Sequence, residues 1–84
     1  VLGEENLDFA VSLNNLAYLY YLQENYTDAE PLFKQALELR KRLLGEEHPD
    51  FAQSLNNLAN LYNSQGHYSD AEPLLKQALA LTKR

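Results

Sequence analysis

His48 and His67 are the two histidines of this 84-residue chain, and their side chains are the ones best suited to act as a general base or a metal ligand. They occupy separate segments and lack a paired spacing such as H-x-x-x-H, which places two imidazoles on one face of a helix. Three carboxylates near His48 could nominally bind a cation with it: Glu46, Glu47 and Asp50. We interpret this cluster as a solvated loop that caps a helix, so neither a metal nor another cofactor is predicted.

The sequence also gives no support for nucleophilic catalysis or for phosphate binding. The candidate nucleophiles are Ser12, Ser54, Ser64 and Ser69. None of these serines lies in a G-x-S-x-G elbow, and no histidine is locally placed to activate one. The three glycines are far apart in the chain and form no glycine-rich phosphate loop. The sequence therefore predicts a protein that is not an enzyme.

The charge of the chain limits its partners. Twelve acidic and seven basic residues give a net charge of -5 at pH 7. Phosphate backbones and anionic lipids repel such a chain, so neither nucleic acid nor a membrane is predicted as a partner. The apolar runs are too short for a membrane span. A signal peptide is not predicted either, because no positively charged segment precedes an apolar region.

Two further features concern the origin of the chain. The absence of cysteine rules out disulfides and is compatible with a reducing cytoplasm, the expected location. Because the chain begins at Val1 without a methionine, we expect an excised or processed segment.

The strongest pattern in the sequence is an internal repeat of 42 residues. When each residue is aligned with the one 42 positions later, about 29 of 42 positions are identical without a gap. This similarity predicts two repeats, 1–42 and 43–84, which stack to complete one shared core and form one domain.

The elements within each repeat are predicted to be helices. Apolar residues recur at i, i+3, i+4 and i+7 from Phe51 to Tyr62, and again from Ala71 to Leu81. The expected helices span about 7–23, 28–43, 49–65 and 70–83. The predicted fold class is therefore all-α, with four antiparallel helices in two helix-turn-helix units.

Start signals agree with these helices. Asn6 and the pair His48-Pro49 suit the N-cap and first position of the first helix of each repeat. The segments 27–30 and 69–72 have the form of capping boxes, with Thr27 and Ser69 as the N-caps.

Prolines and turn residues complete the prediction. With these caps, Pro31 and Pro73 fall in the first turn of a helix, where a missing N–H is tolerated. Gly66 is expected to take the left-handed turn in the second repeat and Asn25 in the first, while Gly45 ends the second helix.

These residues carry a family resemblance that covers the whole chain. The pattern is Leu55-x-x-Leu58-Ala59-x-x-Tyr62, then Gly66, Tyr68, Ala71-x-x-x-Leu75 and Ala78. It resembles the tetratricopeptide repeat, with leucine in place of the usual first tryptophan. The 42-residue period and the phrases LGEEHPDFA, SLNNLA and DAEPL look like the longer variety found in kinesin light chains. The resemblance implies an α-solenoid with right-handed superhelical stacking.

The resemblance also implies protein or peptide binding in a concave groove lined by the first helix of each repeat. Helical geometry predicts which side chains lie opposite the core stripe and so face this groove. In the first repeat they are Val11, Asn14, Tyr18 and Tyr21, with Leu22 beside them. In the second repeat they are Gln53, Asn56, Asn60 and Asn63. One repeat thus offers tyrosines and aliphatics for an apolar side chain, and the other offers amides for an extended peptide backbone.

Several interpretations of these residues stay open. Asn15 and Asn57 lie nearer the helix flank, where they could join neighbouring helices or face the groove. A second copy of the chain could bury Tyr18, Tyr21 and Leu22 as well as a ligand could.

The predicted groove helices contain no lysine or arginine. A carboxylate clamp of the kind that tetratricopeptide domains use on chaperone C-termini is therefore not expected. The same lack weakens the transfer of an acidic-peptide preference from kinesin light chains, so the predicted partner is a neutral or apolar extended segment.

Three functions remain as hypotheses. The first is a scaffold that binds a peptide or partner segment. The second is a self-associating structural unit, because two repeats without polar end helices leave apolar end surfaces that copies could stack end to end. The third is a spacer excised from a longer array.

Overall fold

A computed structural model of the chain describes residues 6–82. Within that range it contains four α-helices and no strand: α1 (Leu7–Leu22), α2 (Tyr26–Leu44), α3 (Pro49–Ser64) and α4 (Tyr68–Thr82). α1 packs on α2, α2 on α3, and α3 on α4. The all-α prediction of two helix-turn-helix units is confirmed. The helix limits lie within two residues of those expected, except that the expected end at residue 83 falls outside the described residues.

The predicted starts of the two odd-numbered helices are confirmed. The side-chain oxygen of Asn6 accepts a hydrogen bond of 2.8 Å from the Phe9 N–H, which satisfies one of the free donors at the start of α1. In α3, Pro49 occupies the first position, and Nδ1 of His48 accepts from the Asp50 N–H at 3.0 Å.

The predicted N-caps of the two even-numbered helices are wrong. α2 and α4 begin at Tyr26 and Tyr68, so Thr27 and Ser69 lie inside the first turn and are not N-caps. Helical hydrogen bonding begins one residue before each tyrosine, and the carbonyl of Asn25 accepts from the Ala29 N–H at 3.1 Å. Each of these helices therefore starts two residues before the predicted position.

The earlier starts also move the prolines. Pro31 and Pro73 lie in the second turn inside their helices and not in the first turn as predicted. The nitrogen of Pro31 cannot bond to the carbonyl of Thr27, so α2 lacks one interior hydrogen bond. The helix nevertheless continues to Leu44, because its apolar face is packed on both α1 and α3.

The turns within the two repeats, 23–25 and 65–67, differ in two residues. Gly66 adopts a positive φ angle of 80°, as predicted. Gly45 ends α2, also as predicted, and has a φ angle of 90°. In the first repeat Glu24, not Asn25, takes the left-handed conformation, with φ of 62°. Glu24 occupies the repeat position of Gly66, so the shared backbone imposes this conformation on a residue that carries a Cβ.

Replacing Glu24 with glycine is expected to raise the free energy of unfolding by about 0.5–1 kcal/mol, because glycine relieves the steric cost of a positive φ. Urea unfolding followed by circular dichroism measures the change. The reverse substitution, Gly66→Ala, is the matched control and should destabilise by about 1 kcal/mol. No atom lies within 4 Å of the added Cβ, so backbone strain alone acts there. A loss of stability in Glu24→Gly would contradict this explanation.

The main core lies where α3 meets the first repeat. Leu58 and Leu61 of α3 form one buried cluster with Ala17 of α1 and with Ala29 and Phe33 of α2. A second buried cluster joins α1 to α2, and a third joins α3 to α4. The alanines allow close approach of the helices, so the two repeats share one core.

Candidate functional site

An open cleft lies between α1 and α3, with α2 beneath it. Its volume is about 360 Å³. The lining residues are Val11, Asn14, Asn15, Tyr18, Phe33, Arg40, Gln53 and Asn57. Phe33 and Arg40, both from α2, are buried and form its floor. The walls offer amide groups that can both donate and accept hydrogen bonds.

A smaller aromatic recess of about 40 Å³ adjoins this cleft and shares three of its lining residues. It is lined by Tyr18, Tyr21, Phe33, Asn57 and Asn60. The rings of Tyr18 and Tyr21 stack with centroids 6.0 Å apart. The hydroxyl of Tyr21 is hydrogen-bonded to that of Ser64 at 2.9 Å, which joins the ends of α1 and α3 across the recess.

The structure brings together six of the nine residues predicted for the groove. These are Val11, Asn14, Tyr18, Tyr21, Gln53 and Asn60. Asn56 lines a different cleft, formed with α4. Leu22 and Asn63 line none of these three clefts, and Leu22 is exposed at the end of α1. The cleft and the recess therefore include fewer of these residues than the helical projection predicted, and they lie between the repeats.

Four lining residues were not among the predicted site residues. Asn15 and Asn57, whose role was left open, both line the cleft. Phe33 and Arg40 were missed because the prediction considered only the first helix of each repeat. A signal was present in the sequence, since the repeats differ at both positions, which are Leu75 and Thr82 in the second repeat.

Arg40 is the only arginine or lysine of residues 6–82 that lines this cleft, and it is 6% exposed. Its Nη1 donates to the Asp50 carbonyl at 3.2 Å, to Gln53 Oε1 at 3.2 Å and to Ser54 Oγ at 3.1 Å. With the Asn14 amide oxygen turned toward the guanidinium, Oδ1 also accepts from Nη1 at 3.1 Å and from Nη2 at 3.3 Å. All these acceptors are neutral, so hydrogen bonds, not an ion pair, compensate the buried charge.

The sequence analysis considered cations on the first helix of each repeat only, and α1 and α3 contain no lysine or arginine. The structure adds a cation from another helix, because α2 places Arg40 at the floor of the cleft. The guanidinium joins all three helices around the cleft: it belongs to α2 and bonds to α1 and α3.

A second polar contact connects α3 to α2 on the other side of their interface. The Tyr62 hydroxyl donates to Glu30 Oε2 at 3.0 Å, and Lys34 Nζ lies 3.0 Å from the same oxygen. The hydrogen bond from Lys34 lowers the pKa of Glu30 below its ordinary value of 4.5, against the opposing effect of burial. Burial, followed by the bond to Glu30, raises the pKa of the Tyr62 hydroxyl.

The histidines lie outside the cleft. His48 caps α3, and the His67 ring lies 6.4 Å from that of Tyr62. Within residues 6–82, no group of three or more histidine, cysteine or acidic side chains is placed to hold a metal ion. None of the helices in the same part of the chain has both the length and the apolar character that crossing a membrane requires.

The helix-turn-helix pairs and the open cleft between them define an all-α helical repeat protein. The family model for the tetratricopeptide repeat matches residues 8–84. The chain therefore belongs to the tetratricopeptide repeat family, whose members generally mediate protein–protein interactions. No curated protein matches the chain.

Proposed function

We propose that this chain is a protein-interaction scaffold that binds an extended segment of a partner protein in the cleft between α1 and α3. The observation that carries the proposal is the convergence of amide side chains from both helices on one open cleft, beside two stacked tyrosines. The 42-residue period further favours membership of the longer, kinesin-light-chain-like variety of the family.

The amides suit a peptide backbone. An extended segment has unpaired N–H and C=O groups along its length, and asparagine or glutamine can pair with both. Gln53, Asn57 and Asn60 follow one another at about one helical turn along α3, while Asn14 and Asn15 face them from α1. The stacked tyrosines provide an apolar surface for one side chain of the segment.

The proposed segment is neutral or apolar in character. Arg40 is 6% exposed and already donates to four oxygen atoms, so little of its charge faces a ligand. The accessible groups of the cleft are amides, phenols and an aliphatic side chain, none of which carries a charge at neutral pH.

The test begins with a phage-displayed library of linear peptides, selected on the immobilised chain. For a selected peptide, fluorescence anisotropy should show about tenfold weaker binding to Asn57→Ala and to Asn60→Ala, because each loses a hydrogen bond worth about 1.4 kcal/mol. Circular dichroism confirms that the variants remain folded.

Asn56→Ala is the matched control, because Asn56 lies on the same helix but outside the cleft. Its affinity should equal that of the unsubstituted chain. Unchanged binding by the Asn57 and Asn60 variants, equal weakening by Asn56→Ala, or failure of the library to yield any binder would contradict the proposal.

A second candidate function is self-association. The specific observation that favours it lies on another surface, because α1 keeps four leucines exposed and α4 keeps two. A spacer role in a longer array is compatible with the same surface, because further repeats would cover it.

A further inference from the structure

The interface between α2 and α3 shows how one repeat receives the next. On α3, Leu58 and Leu61 are 4% and 0% exposed because they pack against α2. The same repeat positions on α1 are Leu16 and Leu19, which are 42% and 49% exposed. We name the side of α1 that carries Leu16 and Leu19 the leading face. It corresponds to the side of α3 whose leucines are buried.

The opposite end of the chain presents the receiving surface. Phe33 of α2 is 3% exposed because α3 covers it, and Leu37 packs in the same cluster. Their counterparts on α4, Leu75 and Leu79, are 37% and 57% exposed. We name the side of α4 that carries Leu75 and Leu79 the trailing face. It corresponds to the side of α2 against which α3 packs.

An incomplete copy of the cleft between α1 and α3 lies beside the trailing face. A cleft of about 320 Å³ is lined by Asn56, Leu75, Ala78, Leu79 and Thr82. Three of these are the counterparts of Asn14, Phe33 and Arg40 in the first cleft. In the first cleft, Gln53 and Asn57 of α3 form one wall, and the second cleft has no corresponding wall among the described residues.

We infer that a second copy of this chain packs the leading face of its α1 on the trailing face of α4, in the register in which α3 packs on α2. The inference rests on the second candidate function and names the surfaces and the register of that association. Val11 and Asn15 of the incoming copy hold the repeat positions of Gln53 and Asn57, so they complete the second cleft.

The polar groups across this contact are compatible with it. At the internal interface, Arg40 bonds to Gln53, whereas the corresponding pair between copies is Thr82 and Val11. Neither residue carries a charge, so stacking buries no unpaired guanidinium.

The bond between Tyr62 and Glu30 also has its counterpart between copies. Tyr20 of one chain and Glu72 of the other occupy the same repeat positions. Glu72 already pairs with Lys76 at 3.2 Å, as Glu30 pairs with Lys34. The incoming tyrosine therefore meets a carboxylate that is positioned as in the internal interface.

Such a contact joins two different faces, so it is heterologous and does not close on a two-fold axis. Each added copy presents a new trailing face, and growth continues head to tail. The cleft between α1 and α3 is then repeated along the assembly, alternating with the clefts that form between copies.

The experiment uses two variants that each disable one face. Leu19→Glu places a charge on the leading face, and Leu79→Glu places one on the trailing face. Both leucines are about half exposed in a single chain, so the substitutions leave its fold intact. Sedimentation velocity over a wide concentration range should show growing assemblies for the unsubstituted chain and a monomer of 9.6 kDa for each variant alone.

An equimolar mixture of the two variants gives the decisive result. The trailing face of Leu19→Glu and the leading face of Leu79→Glu are both intact, so the mixture should form a 1:1 dimer that cannot grow. Leu43→Glu is the matched control, since Leu43 is 41% exposed although its helix already has a neighbour on each side. This variant should assemble like the unsubstituted chain.

Other outcomes overturn the inference in distinguishable ways. Dimers formed by Leu79→Glu alone would indicate that two leading faces pair, and dimers of Leu19→Glu alone would indicate two trailing faces. Assembly that is lost on Tyr18→Glu but kept in Leu19→Glu would place the contact at the tyrosines, so self-association would stand and this register would fail. A chain that remains monomeric at every concentration would remove both the inference and the second candidate function, and it would leave peptide binding in the cleft unaffected.

Discussion

Leu61→Ala should lower the free energy of unfolding by about 3–4 kcal/mol, the largest loss that we expect from a single substitution in this chain. Leu61 is 0% exposed and packs with residues from both α1 and α2. Truncation to alanine removes this apolar contact and leaves a cavity at the point where the two repeats meet. For a domain of this size, such a loss is a large part of the whole stability.

The chain contains its own matched control for this prediction. Leu19 is the same residue at the same repeat position, but it is 49% exposed. Leu19→Ala should therefore cost less than about 1 kcal/mol. Both variants are compared by urea unfolding in the Leu79→Glu background, so that association does not add to stability. Equal losses at the two positions would show that the outer side of α1 is covered within a single chain.

Arg40→Ala is expected to lower the free energy of unfolding by about 2–4 kcal/mol, because hydrogen bonds to a charged group contribute about 1.5–3 kcal/mol and Arg40 makes several. The substitution leaves the Asp50 carbonyl and Ser54 without this donor at the α2–α3 interface. It also removes the buried stem that forms part of the cleft floor. Urea unfolding again measures the change.

Two variants separate the role of Arg40 from that of charge alone. Lys41→Ala removes a neighbouring cation whose 3.4 Å ion pair with Glu46 is half exposed, and it should cost less than about 1 kcal/mol. The double substitution Arg40→Thr with Gln53→Val installs the pair found at the corresponding positions, Thr82 and Val11. It should lose less stability than the two single substitutions added together, because neither polar partner is left alone. Strict additivity would show that the 3.2 Å contact between Arg40 and Gln53 contributes nothing.

The local parts of the fold could be predicted from the sequence because their causes are local. The 42-residue period and the 3.6-residue apolar spacing determine two pairs of helices, and a cap such as Asn6 acts within its own turn. Two local predictions nevertheless failed. The hydroxyl of Thr27 suggests a helix start that the structure places at Tyr26, and Glu24 is held in a conformation that suits the glycine of the other repeat.

The residues of the candidate site could be predicted only in part from the sequence. A helical projection finds the exposed face of α1 or α3 because it concerns one helix at a time, and it placed Asn14 and Tyr18 on a surface that the structure shows to be a cleft. It could not find Arg40, whose side chain belongs to a different helix and enters the cleft from below. Which side chains share a cleft depends on how helices pack, and that information lies in no single segment.

Leu19 and Leu61 show what the sequence determines by itself and what depends on the tertiary structure. The sequence determined that both residues belong to an apolar helix face, since they occupy the same position in nearly the same local sequence. Only the tertiary structure decided that Leu61 is 0% exposed and Leu19 is 49% exposed. The physical reason is that burial depends on a neighbouring helix, and within the described residues α3 has α2 on that side whereas α1 has no helix there.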